Sequence, residues 1–93
     1  MSSQSVYERN ASVDSSLAGD RVVLYERQSR SAIVLNPTGT HLWQTLSQPQ
    51  TAQQLSEALC VLYPTLDSGQ AKHDVETFLS DLSAKQLVQV RSK

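Results

Sequence analysis

Two histidines, one cysteine and a run of charged residues near the C-terminal end are the groups of this 93-residue chain that could do chemistry. Imidazole and thiolate together could hold zinc, and a thiolate next to an imidazole could act as a nucleophile. Neither arrangement is spelled out here. His41 and His73 fall in different segments without metal-ligand spacing, so both read as packing or surface residues and no metal site is expected. Cys60 sits between Leu59 and Val61, where it reads as a small buried hydrophobe. With only three glycines there is no glycine-rich phosphate loop, and no G-x-S-x-G elbow occurs among the many serines. The chain offers no catalytic set and calls for no cofactor.

The charged residues are more informative by their placement. Asp74, Glu76 and Asp81 share one segment with Lys72 and Lys85, and the default reading of such charges is a solvated helix face. At 100° per residue, however, Asp74, Asp81 and Lys85 fall on the Phe78 edge of the apolar stripe. They could therefore flank that stripe. Trp43, lone on an amphipathic segment, reads as core.

The elements that must position these groups change type along the chain. From Ala11 to Leu35, short apolar stretches are separated by turn residues, as strands require. Val13–Leu17 is a first strand, Ala18-Gly19-Asp20 a turn, Arg21–Glu26 a second strand and Ser31–Leu35 a third, giving an antiparallel meander with the third strand at its edge. Asn36 then suits a helix N-cap and Pro37 its first turn, with Gly39, Leu42, Trp43 and Leu46 on one face. Thr51 to Gln54 reads as a capping box opening a second helix that Pro64 stops. Asp67 to Gln70 repeats the pattern for a third and longest helix, whose stripe is Ala71, Val75, Phe78, Leu79 and Leu82. "LVQV" closes as a short extended segment. The fold class that follows is α+β: a three-stranded antiparallel sheet followed by three helices.

Bulk properties narrow the function classes. The chain suits one small domain; residues 1–10 are polar enough for a disordered tail, leaving 11–93 as the domain. A formal net charge of −1 without a basic cluster disfavours nucleic acid as a partner. No apolar run approaches the length of a bilayer, no secretion signal opens the chain and Cys60 cannot form an internal disulfide. The expectation is a soluble, cytoplasmic protein without membrane contact.

Three stretches, "GDRVVLYERQSRSAIVLNPTGTHLW", "TAQQLSEALCVLYP" and "DVETFLSDLSAKQLV", resemble in order and spacing the PqqD-like family, the precursor-peptide recognition elements of ribosomal natural-product (RiPP) biosynthesis. The likeness spans roughly Val13 to Val90, and "LNPTG" looks like the standalone members. One departure is that "SAIV" is aliphatic where the family often places an aromatic residue ahead of the leucine-asparagine pair.

The resemblance implies a winged helix-turn-helix-like fold in which the third strand and third helix border a groove for the leader of a precursor peptide. The leader would add as another strand, with Ser31, Ala32, Ile33, Val34 and Leu35 on the strand side and Asp74, Phe78, Asp81, Leu82 and Lys85 on the helix side. It implies a peptide chaperone without catalysis, serving a separate modification enzyme or leader protease, as a monomer or homodimer. Two alternatives stand beside it. A winged-helix DNA-binding regulator is weakened because the second helix holds no basic residue, and a docking subunit of a larger synthetase would use the same groove.

Overall fold

Gly19 takes φ +68° in a two-residue connection between Ala18 and Arg21, the glycine-first arrangement that matches the twist of a tight hairpin. This hairpin joins β2 (Val13–Ala18) to β3 (Arg21–Glu26) in a computed structural model that describes residues 5–91. β4 (Ser31–Val34) pairs antiparallel with the far side of β3, so the sheet order is β2-β3-β4 and β4 is an edge. Arg30 enters β4 with φ 57°.

Three helices follow: α1 (Pro37–Thr45), α2 (Ala52–Leu62) and α3 (Ser68–Ala84). The expected capping chemistry explains their starts. Asn36 Oδ1 accepts from the Gly39 amide at 2.7 Å, and Thr51 and Gln54 form a complete capping box. At α3 only half of the expected box forms, because Asp67 accepts from the Gly69 and Gln70 amides while the Gln70 side chain turns to Asp74. The fold is α+β, with a three-stranded antiparallel sheet and three helices, as the sequence predicts.

The inner face of β3 supplies Val22 and Leu24 to a core completed by Leu42, Trp43 and Leu46 of the first helix, Leu55 and Leu59 of the second, and Val75, Leu79 and Leu82 of the third. Each such side chain contributes on the order of 1.5–3 kcal/mol by leaving water. Thr40 stitches strand to helix inside this core: its buried hydroxyl accepts from the Val22 amide at 3.0 Å and donates to the Leu35 carbonyl at 3.4 Å. The abrupt change from strand to helix at Asn36-Pro37 is thereby tied back onto β3.

A second small sheet corrects the reading of residues 1–10 as a tail. β1 (Val6–Arg9) pairs with β6 (Val88–Arg91) on one side and with β5 (Gln50–Thr51) on the other, giving the order β5-β1-β6. The physical reason is non-local: the polar segment around Val6 is ordered by partners at the other end of the chain, where Tyr7 faces Val90 and Glu8 accepts from Gln89 Nε2 at 2.6 Å. Residues 1–4 of the expected tail lie outside the described residues. Among those described, no helix is long and apolar enough to cross a membrane.

Candidate functional site

The edge of β4 sets up the site. Leu35 N donates to the Val22 carbonyl at 2.8 Å, which makes Val22 and Leu35 a hydrogen-bonded pair. Antiparallel ladders alternate, so Ile33 and Ser31 also turn their backbone groups to β3. Ala32 and Val34 therefore aim their N–H and C=O groups away from β3, along an edge with no neighbouring strand among the described residues. Side chains alternate too: Ile33 and Leu35 share the core face with Leu24 and Val22, whereas Val34, 60% exposed, pairs with Val23 on the outer face.

Beyond that edge lies α3, and between them runs a groove of about 520 Å³. Ile33, Val34 and Leu35 line it from the strand, and Asp74, Phe78, Asp81, Leu82 and Lys85 from the helix. Leu35 and Leu82 are buried and belong to the core beneath it, while Phe78 and Ile33 are half-buried and form its open apolar floor. Ser31 lies outside it, in an adjoining depression with Glu26 and Lys85, and Ala32 takes part only through its outward backbone. Eight of the ten sequence-predicted residues thus line one groove, Val34 from the outer face of the strand, and the two exceptions are these.

Sequence reasoning missed the end wall and one ridge. Asn36, Thr38, Gly39 and Leu42 bring the first turns of α1 against the groove. A side chain at Gly39 would press on Asn36 Oδ1 at 3.1 Å and meet Phe78 Cδ1 at 3.6 Å, so glycine lets the helix start close over the floor. His73 and Thr77 line the groove from the ridge that also carries Asp81, and that four-residue spacing was a usable signal. His41 is half-buried on α1 and is not among the residues lining this groove, and Cys60 is a half-buried free thiol on α2.

The groove wall carries charge in a specific state. Asp74 Oδ1 already accepts from Gln70 Nε2 at 2.8 Å. Asp81 and Lys85, one turn apart, form no side-chain hydrogen bond or ion pair with each other or with any other described residue. At the Lys85 end lies Glu26, a buried residue whose carboxylate accepts from the Ser12 hydroxyl and the Ser29 amide. Those hydrogen bonds, the Ser12 contact foremost, hold its pKa below the ordinary value.

A depression of similar size, about 550 Å³, lies between α2 and α3 around Ser56, Cys60, Lys72 and Glu76. None of its lining residues belongs to a strand. Of these two depressions only the β4 groove is lined by an edge strand, which suits an extended polypeptide rather than a small molecule.

Residues 21–88 match the family model described as coenzyme PQQ synthesis protein D, PqqD. The chain is also similar to a solved structure described as TbiB1 in complex with the TbiA(beta) leader peptide, at a TM-score of 0.82 and 26% sequence identity, covering 88% of this chain and 94% of that one. The search of curated proteins gives no match.

Proposed function

Because this chain belongs to the PqqD family, we propose that it is a non-catalytic peptide-binding module that captures the leader segment of a ribosomally made precursor peptide. The observation that carries this reading is the unpaired outward backbone of Ala32 and Val34 beside the apolar floor of Ile33 and Phe78. A leader adding as a strand to β4 gains main-chain hydrogen bonds from the edge, and every second side chain enters the groove against α3. Ser31, Ala32, Ile33, Val34 and Leu35 provide the strand side; Asp74, Phe78, Asp81, Leu82 and Lys85 provide the helix side. The similar TbiB1 structure, described in complex with a leader peptide, supports leader capture.

Capture without chemistry has a purpose if the core of the precursor is handed to a second protein. Tethering the leader raises the effective concentration of the core at a separate modification enzyme or leader protease, often to the millimolar range for a short flexible linker. The module works in the cytoplasm, where a ribosomal precursor is made, as a monomer when the groove is filled. A homodimer formed by pairing two β4 edges would compete with the leader for the same backbone groups.

Titration of isotope-labelled protein with candidate precursor leaders, followed by amide shifts, tests the reading. Saturable shifts confined to residues 31–35 and 74–85 support it. Binding that moves other surfaces refutes strand addition at β4.

A further inference from the structure

The captured strand has a charge order that the groove wall dictates. Taking Phe78 as reference on α3, Asp81 and Lys85 fall within about 60° of it, on one line along the helix. Along the axis, Phe78 to Asp81 is about 4.5 Å and Asp81 to Lys85 about 6 Å. Alternate residues of a strand are about 6.6 Å apart. The three helix positions therefore face three successive inward side chains of a strand, with a mismatch of about 3 Å over the whole run that a flexible lysine or glutamate side chain spans.

Two observations make this wall selective. Asp81 and Lys85 stand four residues apart in the order that favours an intrahelical ion pair, yet neither pairs with the other or with any described residue. Asp74, in contrast, is already engaged by Gln70. The two unpaired charges thus border a groove whose floor is apolar, with Lys85 at the end where Ser31 begins β4 and Phe78 at the end where Gly39 closes it.

Resting on the leader-capture reading above, we infer that the groove selects a strand whose inward side chains, two residues apart, are apolar against Phe78, basic against Asp81 and acidic against Lys85. β4 runs from the Lys85 end toward the Phe78 end. An antiparallel partner, the slightly more stable pairing per residue, then reads apolar-x-basic-x-acidic from its N-terminus. The apolar anchor supplies contact area, and the two charges fix register, because a slip by two residues places like charges together.

Three capped synthetic peptides test this: Thr-Leu-Thr-Lys-Thr-Glu-Thr, its charge-swapped form with Glu and Lys exchanged, and a neutral form with Gln at both positions. Amide-shift titration at low salt is expected to rank them matched, neutral, swapped, with about a two- to five-fold step for each charge pair. The spread shrinks in high salt. In the doubly reversed protein Asp81→Lys/Lys85→Asp the ranking inverts; both side chains are exposed, so the fold is unaffected. Equal affinities for all three, with shifts still at residues 31–35, overturn the charge order and leave strand capture standing. Shifts confined to other surfaces, or none at millimolar peptide, overturn strand capture and the charge order with it.

Discussion

The Arg9 guanidinium lies 4.6 Å from the centroid of the Trp43 ring and donates to the Trp43 carbonyl at 2.6 Å. One side chain on the N-terminal strand thus covers the face of the core tryptophan and satisfies a carbonyl of α1. Burial lowers its pKa, but the group stays charged at any relevant pH.

Replacing Arg9 with Ala removes a stacked cation worth about 0.5–2 kcal/mol and a charged hydrogen bond worth about 1.5–3 kcal/mol. With partial overlap of the two, the expected loss is about 2–3 kcal/mol in denaturant melts. Arg9→Lys does not restore it, since an ammonium lacks the planar fork that stacks and donates together. A loss under half a kcal/mol for Arg9→Ala would show that the N-terminal strand is a dispensable cover.

The end of α3 offers the opposite sign. Leu87 N donates to the Leu82 carbonyl at 2.8 Å and Gln86 N to the Ser83 carbonyl at 3.0 Å, the paired bonds of a Schellman cap. Its left-handed position is filled by Gln86 at φ 61°. Gln86→Gly relieves a strain of about 1–2 kcal/mol at some cost in unfolded-chain entropy, for a net gain of about 0.5–1 kcal/mol. The check is a rise in the urea midpoint with unchanged slope.

These two relationships also mark where the sequence was legible and where it was not. Strand alternation in "RVVLYE" and "SAIVL", the cap at Asn36 and the stripe from Ala71 to Leu82 are local patterns, and each produced the element it announced. The strand Val6–Arg9 was not legible, because its order comes from β6 and from Trp43, both distant in sequence. Angular arithmetic on α3 put Asp74, Asp81 and Lys85 on the Phe78 edge, while the groove itself was implied by the family resemblance. Its end wall was not, since the approach of Gly39 to Phe78 depends on how α1 packs.

Glu26 makes stability depend on acid. Its pKa is held below the ordinary 4.5 in the folded protein, so its contribution is complete above that value and fades as pH falls through the lower, folded one. The wild type is expected to lose stability below about pH 4.5 more steeply than Glu26→Gln. Parallel slopes for the two proteins between pH 5 and pH 3 would assign the acid response to other carboxylates.

Phe78 and Leu82 separate binding from folding. Leu82 is 3% exposed, and Leu82→Ala is expected to cost about 2–5 kcal/mol of stability. Phe78 is half-buried at the open floor. Phe78→Ala is expected to keep the fold and weaken leader binding about ten-fold or more, from the apolar contact a buried leader side chain loses. Intact binding in a folded Phe78→Ala variant would move the pocket away from the floor assigned here.

The backbone itself provides the sharpest test of strand addition. Val34 turns its N–H away from β3, so Val34→Pro deletes a donor on the open edge and none in the existing ladder. Ile33, whose extended conformation suits a residue before proline, imposes no further penalty. Ile33→Pro is the control, because its N–H belongs to the β3 pairing and its loss disrupts the sheet. Val34→Pro is expected to retain the wild-type amide spectrum outside residues 32–36 while leader affinity drops about five- to ten-fold, the worth of one hydrogen bond. If a folded Val34→Pro protein bound the leader as well as wild type, the peptide would be held by side chains alone, and β4 would be a wall of the groove rather than its template.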